Sequence, residues 1–293
     1  MDNIFFSIIV PTYNRASFLT RTVSSVLNQT FLNFEVIIVD DGSEDETFSV
    51  VKELSEQDIR VNYYYQQNSE RAVARNNGAK IAKGKFLIFL DSDDFFNDKV
   101  HLSNLFEFIK TNNEVPALYF TGAIITTSDK QILTRNYIQE ELNQIDFFVK
   151  ESVVPARVCV SKSVFDFFKF DEDCIVVEDT VLWTAIMQKF PVFYLPIHTA
   201  SYFLHESNSV NLNSSNAYFN RLKGLKKMFN YYEVGKIIPI KTKQSQINRC
   251  YYGISEYYRN KNKFILSKCW ILISIIRYPM IDIKHKLKQL FLR

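Results

Sequence analysis

Between residues 7 and 90 the sequence alternates short apolar runs with segments whose apolar residues recur at helical spacing. The apolar runs predict four β-strands, over residues 7–10, 34–39, 61–65 and 86–90. Alternation of strands and helices predicts a mostly parallel sheet with helices on both faces. Strands that contain almost no polar residues are typical of a sheet that is buried on both sides. We therefore predict an α/β fold with a doubly wound, mostly parallel sheet.

The segments between these strands predict helices. Asn14 is expected to cap the first helix, a second follows the turn at 40–43, and a third spans 72–83. Beyond residue 100 the alternation becomes irregular, and a polar, turn-like stretch at 208–216 precedes a region rich in Lys and Tyr. We expect that region, residues 216–293, to be a helical C-terminal extension.

Polar residues follow three of the predicted strands at the point where each strand ends, at residues 12–14, 40–41 and 91–93. In open α/β sheets, ligands bind in the crevice outside the carboxyl ends of the strands. The sequence therefore predicts that these three segments converge on one binding site.

The last segment, FLDSDD at 89–94, places carboxylates directly after a strand. Asp91 and Asp93 are two residues apart and point the same way in an extended chain. Mg²⁺ and Mn²⁺ prefer one or two carboxylates together with the phosphate oxygens of a substrate, and such a metal would relieve the charge repulsion. Two other interpretations apply to this stretch alone. Asp91 is the nucleophile of a phosphohydrolase of the haloacid dehalogenase type, or Asp93 or Asp94 caps a helix that begins near residue 98.

A calcium-binding EF-hand loop is excluded for the same stretch. Such a loop requires glycine at its sixth position and glutamate at its twelfth. Counting from Asp91, these positions hold Phe96 and Leu102.

Four blocks in this order resemble the inverting glycosyltransferases of family 2, whose fold is called GT-A. They are SIIVPTYNR (7–15), FEVIIVDDGSEDET (34–47), ERAVARNNGAKIAKGKFLIFLDSDD (70–94) and VVEDTVLW (176–183). The resemblance covers roughly residues 5–210, and the remaining tail carries no such signature. It implies a nucleoside diphosphate sugar as donor and Mn²⁺ or Mg²⁺ as cofactor. The sequence specifies neither the base nor the sugar of the donor.

The resemblance also implies roles for individual residues. Asp40 is expected to accept a hydrogen bond from the nucleotide base, and Asp41 is expected to stabilise the turn only. Asp93 is expected to bind the metal, and Arg75 or its neighbour on the same helix to contact the base or diphosphate, or to pair with Asp91. The full set expected at the donor nucleotide is Pro11, Thr12, Tyr13, Asp40, Arg71, Arg75, Asp91 and Ser92.

Asp179 matches the general base that deprotonates the acceptor hydroxyl, a role that typically contributes about 10²–10⁴-fold to the rate. His205 matches a second metal ligand of the family, although Phe203 stands where the family's pattern has a basic residue. A Q-x-x-R-W element of processive synthases is missing from the sequence, so we expect transfer of a single sugar. A nucleotide-sugar-binding protein without activity is the alternative, in which Asp179→Asn changes nothing.

Composition limits the partners. The net charge of +3 over 293 residues gives no argument for nucleic-acid binding, so no nucleic-acid partner is expected. The four cysteines are far apart, and the N-terminal sequence lacks the features of a signal peptide, which favours a cytoplasmic protein.

The tail at 265–293 combines apolar residues with lysines, so it either packs on the protein or contacts the inner face of the cytoplasmic membrane.

These expectations combine into three regions and one reaction. Residues 1–100 would form the donor-binding half, 101–215 the acceptor-binding half with the base, and 216–293 the extension. The expected activity is transfer of one sugar, with a UDP-sugar as the preferred donor, to the hydroxyl of a glycan or lipid-linked glycan. Such acceptors occur in the synthesis of bacterial surface polysaccharides.

Overall fold

The computed structural model describes residues 4–127, 129–134, 144–151, 153–205, 208, 215–231, 233–279 and 281–291. Within these ranges one mixed sheet contains β1 (Phe6–Thr12), β2 (Phe34–Asp40), β3 (Val61–Tyr65), β4 (Phe86–Phe89), β5 (Phe95–Phe96), β6 (Leu118–Thr126), β7 (Gln131–Leu133), β8 (Val158–Ser161) and β9 (Val192–Phe203). The strand order is β3-β2-β1-β4-β8-β6-β9-β5, and β7 pairs with β6.

The helices of the α/β part are α1 (Ala16–Leu27), α2 (Thr47–Gln57), α3 (Glu70–Ile81), α4 (His101–Thr111), α5 (Gln144–Glu151), α6 (Lys162–Phe165) and α7 (Glu178–Ile186). The extension contains α8 (Ser215–Tyr231), α9 (Val234–Ile237), α10 (Ile240–Asn260), α11 (Phe264–Arg277) and α12 (Ile283–Phe291). Among the described residues, no helix combines the length and the apolar character that crossing a membrane requires.

The first four strands along the chain pair in parallel, as the sequence predicts. β1 lies between β2 and β4, with Thr12 opposite Asp40 and Ile9 opposite Phe89. The carboxyl ends of these strands therefore meet at one edge of the sheet, where the polar segments of the sequence follow. The second half of the sheet is mixed, because β8 runs antiparallel to both β4 and β6 whereas β9 runs parallel to β6.

Helices cover both faces of the sheet, which confirms the predicted doubly wound fold. Alternate residues of β1 divide between two cores, with Ile8 and Val10 on one face and Ile9 on the other. Helices α1, α2 and α4 contribute apolar side chains to the first core, and α3, α5 and α7 contribute to the second. Because alternate residues of a strand face two different cores, nearly every residue of the strand is buried and apolar.

Glycine brings α3 close to the sheet. A Cβ atom on Gly78 would lie 2.5 Å from Cγ2 of Ile9 and 3.0 Å from Cγ2 of Val39. The helix therefore packs directly on β1 and β2. This position matters because α3 carries Arg71 and Arg75 towards the carboxyl edge of the sheet.

The prediction that Asn14 caps the first helix is wrong. Asn14 has a φ of 51°, and α1 begins two residues later at Ala16. Its side-chain oxygen instead accepts a hydrogen bond from the backbone N–H of Glu44 at 2.8 Å. Asn14 thus ties the loop after β1 to the loop after β2, and these two loops border the cavity described below.

The extension forms a third core with the α/β part. α8 packs on α10, α10 on α11, and α11 on α12. Apolar residues of α8 and α10 share this core with Val176, Val177 and Val181. The extension therefore contacts the segment that leads into α7, where the predicted base lies.

Candidate active site

A cavity of about 390 Å³ opens at the carboxyl edge of β1, β2 and β4. The predicted residues that line it are Pro11, Thr12, Tyr13, Arg71, Asp91, Ser92 and Asp93. Side chains outside the predicted set also line it, namely Arg15, Asp41, Asn68, Glu70 and Ala74. The three polar segments of the sequence thus converge on one site.

The two acids after β2 differ in where their carboxylates go. Both oxygens of Asp40 are engaged within the protein, since Oδ1 accepts from Ser43 N–H at 2.9 Å and Oδ2 accepts from the Tyr63 hydroxyl at 2.8 Å. Of this pair of acids, Asp41 lines the cavity and Asp40 does not. The structure therefore places Asp41, expected only to stabilise the turn, where the sequence prediction placed Asp40.

The loop before α3 fixes the orientation of Asp41. Its Oδ1 accepts hydrogen bonds from the Gln66 side chain at 2.7 Å and from Ser69 N–H at 2.8 Å. Asp41 is buried, and the turn that follows it uses Gly42 at a φ of 82°. A glycine is favoured there because other side chains rarely adopt positive φ.

Arg75 is buried and makes ion pairs on both sides. Its Nη2 lies 2.6 Å from Oδ1 of Asp91, and its Nη1 lies 2.7 Å from Oε1 of Glu178. The guanidinium also lies over the Phe170 ring, 5.1 Å from its centre. Of the two interpretations of Arg75 from sequence, the structure shows the ion pair with Asp91, and Arg75 is not among the residues that line the cavity.

Arg71 lies one helical turn before Arg75 and does line the cavity. Its Nε is 3.7 Å from the same oxygen of Glu178, and its side chain is about one quarter exposed. Arg71 is therefore the arginine of this helix that can reach a ligand. Glu178, which is adjacent to the predicted base but outside the predicted set of site residues, is the partner of both arginines.

Asp93 and His205, the two residues predicted to bind the metal, are in contact. His205 Nε2 lies 3.0 Å from Oδ2 of Asp93, although the two residues are 112 positions apart in the chain. The Nδ2 of Asn208 lies 3.4 Å from the same oxygen. The imidazole stacks on Phe18 at 4.5 Å between ring centres. Ser207 and Ser209, which follow His205 in the sequence, lie outside the described residues.

Burial disfavours a charged Asp93. Its pKa is raised because the carboxyl group is buried and because Asp91 places a second negative charge nearby, and the hydrogen bond from His205 opposes this rise only in part. A carboxyl group in this environment gains from a cation. Asp93, Asp91 and His205 are also the oxygen and nitrogen ligands that Mn²⁺ accepts, so the donor set fits the predicted metal.

These residues would not enclose a metal by themselves. In the described part of the chain, no group of three or more His, Cys, Asp or Glu side chains is arranged to hold a metal ion. A site completed by diphosphate oxygens is the arrangement that Mg²⁺ commonly adopts. The absence of a closed cage is therefore compatible with the expected kind of site.

Asp94 lies in the protein interior and links the acidic segment to β9. It is completely buried, and its Oδ1 accepts from the backbone N–H of Phe203 at 2.9 Å, which ties the acidic segment to the end of β9. Its pKa is raised well above the ordinary value by burial and by the charges of Asp91 and Asp93. Asp94 therefore does not cap α4, which begins at His101.

Arg21 is a further residue that the sequence did not reveal. Its Nη2 donates to the backbone carbonyl of Asp93 at 2.8 Å, and its guanidinium lies 4.2 Å from the centre of the Phe203 ring. Phe203 stands where the family's pattern has a basic residue. The cation beside the acidic segment is thus provided by α1, packed on the aromatic ring.

Asp179 occupies the first turn of α7, directly after Glu178. Its pKa is raised to about 6, first by burial and then by the neighbouring Glu178, while Arg75 lowers it. The carboxylate accepts a hydrogen bond from Thr180 N–H at 2.5 Å. At neutral pH the group is therefore mostly ionised, with a proton affinity near that required of a general base.

The residue before this pair has an unusual backbone. Val177 has a φ of 69°, a conformation that costs a β-branched residue on the order of 1–3 kcal/mol. Gly224 of α8 lies against it, since a Cβ there would be 2.6 Å from the Val176 carbonyl oxygen and 2.8 Å from Cγ2 of Val177. The extension thus holds the turn that presents Asp179.

Comparison with known proteins identifies the family. The profile of Glycosyl transferase family 2 matches residues 7–171, which is more than half of the chain. The chain belongs to this family, and the interpretation of Asp91 as a phosphohydrolase nucleophile is set aside. The chain spans less than a third of the length of the rickettsial relatives that it matches, which are described as uncharacterized glycosyltransferases.

One relative matches over most of its length. The GalNAc(5)-diNAcBac-PP-undecaprenol beta-1,3-glucosyltransferase of Campylobacter jejuni is 29% identical over 278 residues, which are 90% of this chain and 86% of the relative. This chain therefore has a relative in bacterial glycan synthesis that aligns along both the α/β part and the extension.

Solved structures share the fold. Staphylococcus aureus TarS in complex with UDP-GlcNAc gives a TM-score of 0.63 at 18% identity, covering 91% of this chain and 80% of that chain. The mannosyltransferase PcManGT from Pyrobaculum calidifontis, in complex with GDP-Man and Mn²⁺, gives 0.59 at 15% identity, covering 97% and 78%. At these identities the likeness concerns the fold, which is that of the GT-A glycosyltransferases.

Proposed function

We propose that this protein is a metal-dependent, inverting glycosyltransferase that moves a single sugar from a UDP-sugar to the hydroxyl group of a glycan or lipid-linked glycan. The observation that carries the proposal is the convergence of Asp41, Asp91 and Asp93, which follow the parallel strands β2 and β4, on one cavity. Arg71 of the same cavity contacts Glu178, the residue before Asp179. A donor site and a base are thereby brought to one edge of the sheet.

The base of the nucleotide binds beside Asp41 in this proposal, and not beside Asp40. A carboxylate can accept a hydrogen bond from the imide N–H of uracil, and Asp41 is the acid of this pair that borders the cavity. Tyr13, about half exposed at the cavity wall, offers an aromatic face for the base. The UDP-GlcNAc complex of TarS supports a UDP-sugar as the first donor to test.

The diphosphate binds at the acidic segment. Asp93 and His205, with Asp91 beside them, would hold Mn²⁺ or Mg²⁺, and the Mn²⁺ complex of PcManGT supports this expectation. A bound divalent cation supplies charge stabilisation to the departing nucleoside diphosphate. Arg71 lines the same cavity and is positioned to donate hydrogen bonds to phosphate oxygens.

Asp179 accepts the proton of the acceptor hydroxyl as that oxygen attacks the anomeric carbon. Attack from the face opposite the leaving diphosphate inverts the configuration at that carbon. Glu178 is occupied by Arg75 and Arg71, so Asp179 is the acid of this pair left for proton transfer. The pKa of about 6 keeps Asp179 ionised at neutral pH and still basic enough to accept a proton.

The proposed acceptor is a glycan built on a lipid carrier at the cytoplasmic face of the membrane. The name of the Campylobacter jejuni relative, which specifies a polyprenyl diphosphate-linked glycan, supports this class. Its alignment with 90% of this chain includes the extension as well as the α/β part. Transfer of one sugar per reaction is the expectation that follows from the sequence.

A thermal-shift panel tests the donor and metal together. UDP-, GDP-, CMP- and dTDP-sugars are compared with and without Mn²⁺, for the wild type and for the matched variants Asp41→Asn and Asp40→Asn. We expect stabilisation by a UDP-sugar that requires Mn²⁺ and is lost in Asp41→Asn. Asp40→Asn should lower the basal melting temperature, because it weakens the contact with Tyr63, but retain the shift. Stabilisation by none of the nucleotides would contradict the proposal.

A further inference from the structure

Helix α11 differs from an ordinary surface helix, because it carries apolar residues on its exposed side as well as on its buried side. Its buried positions are Ser267, Ile271 and Ser274, whereas Ile265 and Ile276 are 80% and 77% exposed. A surface helix of a globular protein normally turns its apolar side chains towards the core and its polar ones towards water. The arrangement in α11 therefore needs an explanation.

The buried serines are paired by the extension itself. The hydroxyl of Ser267 lies 2.9 Å from that of Ser255 in α10, and the hydroxyl of Ser274 donates to the side-chain oxygen of Asn248. Hydrogen bonds of this kind satisfy polar groups that would otherwise be costly to bury. Together with the buried Ile271, these serines fix which face of α11 packs inward, so the residues on the opposite side, which include Ile265 and Ile276, point outward.

The outward face is a continuous stripe. Ile265, Cys269, Leu272 and Ile276 are all exposed, and their spacing of four, three and four residues places them on one side of the helix. We call these four residues the α11 stripe. Contiguous apolar surface of this kind marks a site of contact with another apolar body.

The charge around the stripe is strongly positive. Residues 261–293 contain eight Lys and Arg and a single acid, Asp282, whereas residues 1–260 contain 27 Lys and Arg against 31 Asp and Glu. Lys284 and Lys288 of α12 are exposed. Lys286 differs from them, since its Nζ donates to the backbone carbonyls of Ser274 at 3.1 Å and Tyr278 at 2.7 Å and so fastens α12 to α11.

We propose that the α11 stripe and the exposed lysines of α12 bind the surface of a lipid bilayer that contains anionic lipids. The stripe would enter the boundary between headgroups and acyl chains, and the lysines would lie against the negative headgroups. Charge decides between this occupant and a second copy of the chain. Two copies facing each other would bring two positive surfaces together, whereas an anionic bilayer complements the surface.

The surface is separate from the donor cavity. α10 packs on both α11 and α8, and α8 contacts the segment that precedes Glu178 and Asp179. Bilayer binding therefore uses residues that take no part in the proposed reaction. Bilayer binding goes beyond the proposed function, and it can be measured independently of glycosyl transfer.

The first experiment measures partition of the full chain onto vesicles by co-sedimentation. Vesicles of phosphatidylcholine mixed with phosphatidylglycerol are compared with vesicles of phosphatidylcholine alone, at low and high salt. The double variant Ile265→Ser/Ile276→Ser is compared with Ile59→Ser, a control at a position that is 96% exposed and outside the extension. The charge variant is Lys284→Gln/Lys288→Gln.

We expect the wild type and Ile59→Ser to bind the mixed vesicles and the stripe variant to bind them at least about tenfold more weakly. The charge variant should lose most of its preference for the mixed vesicles and most of its salt dependence. Equal binding by the wild type and the stripe variant would overturn the proposal. So would a wild type that binds neither kind of vesicle.

Cys269 allows the contact to be located. It is the exposed one of the chain's four cysteines, and it lies in the middle of the stripe. An environment-sensitive fluorophore attached to Cys269 should shift to shorter wavelength when mixed vesicles are added, and should not shift in the stripe variant. A label that stays in a water-like environment while the protein sediments with vesicles would contradict this binding face.

Two controls separate other outcomes. The melting temperature should be unchanged in all variants, because the substituted side chains are exposed, and the shift caused by a UDP-sugar should be unchanged as well. A dimer in solution that becomes monomeric in the stripe variant would overturn the proposal in favour of a second copy as occupant. A stripe variant that loses vesicle binding but keeps the shift caused by a UDP-sugar supports the proposed bilayer contact, and it shows that this contact is independent of donor binding.

Discussion

Arg75 Nη1 lies 2.7 Å from Glu178 Oε1, although the two residues are 103 positions apart in the chain. This ion pair joins α3, which carries cavity residues, to α7, which carries Asp179. Because Nη2 of the same guanidinium pairs with Asp91, one buried arginine fixes both the acidic segment and the predicted base relative to each other. The pair is thus a structural link between the cavity and the predicted base.

Arg75→Met should strongly destabilise the protein. Removing one partner of a buried ion pair leaves an uncompensated charge and typically costs about 3–5 kcal/mol, and here two carboxylates lose their partner. The free energy of unfolding from urea denaturation measures the effect. Lys236→Met, which removes an exposed pair with Glu233, should cost less than about 1 kcal/mol. Similar losses in the two variants would contradict the role given to Arg75.

Turnover should fall as the pH drops below about 6. The raised pKa of Asp179 means that this carboxyl group takes up a proton near pH 6, and a protonated carboxyl cannot accept the acceptor's proton. Turnover should then decrease about tenfold for each further pH unit. The measurement is kcat as a function of pH with both substrates saturating. A rate that stays constant down to pH 4.5, about 1.5 units below that pKa, would exclude Asp179 as the base.

Gly224→Ala should disturb the turn before Asp179. The added methyl group would meet the Val176 carbonyl oxygen and Val177 at distances below van der Waals contact, so α8 or the turn must shift. Overpacking of this kind costs about 1–3 kcal/mol. We expect a lower melting temperature and a loss of kcat that exceeds any change in donor affinity. Lys226→Ala, an exposed position on the same helix, is the matched control and should change neither quantity.

Asp93→Asn should abolish the effect of the divalent metal on donor binding. The substitution keeps the shape of the side chain and removes the charge that a cation needs, so the affinity for Mn²⁺ should fall by at least about 10- to 100-fold and UDP should bind no more tightly with Mn²⁺ than without it. His205→Gln should have a smaller effect. Asp173→Asn, at a carboxylate that is 90% exposed, is the control. Isothermal titration of UDP with and without Mn²⁺ checks all three, and an unchanged metal requirement in Asp93→Asn would place the metal elsewhere.

The first half of the fold was predictable because its physical causes are local. Each of the four strands of the parallel half is a short apolar run, and burial on both faces leaves almost no other composition for such strands. The meeting of three polar segments at one sheet edge follows from parallel pairing alone. The mixed second half was not predictable, because β8 and β9 join the sheet through contacts between distant parts of the chain.

The assignment of Asp40 shows a limit of sequence reasoning within the site. Adjacent residues at a strand end point to opposite sides, and a shift of one residue in the end of β2 exchanges their roles. β2 continues to Asp40, so its side chain turns to Tyr63, and Asp41 reaches the cavity. A strand boundary is the least certain part of a sequence prediction.

Arg75 shows a different limit. The sequence shows an arginine at helical spacing from Arg71 but not which of the two is buried, since that depends on the distance between α3 and the sheet. Gly78 sets this distance by allowing close contact with Ile9 and Val39. The partner, Glu178, is adjacent to Asp179, and the sequence does not show which of the two carboxylates faces α3.

The central claim, that Asp179 is the base of a glycosyl transfer, is tested most directly by comparing kcat and donor affinity in the wild type and in Asp179→Asn. The account predicts that turnover falls by at least about 10²-fold while UDP-sugar affinity with Mn²⁺ stays within a few-fold of the wild type. The product anomer formed by the wild type should be inverted relative to the donor. Unchanged turnover in Asp179→Asn, or retention of configuration, would contradict the account.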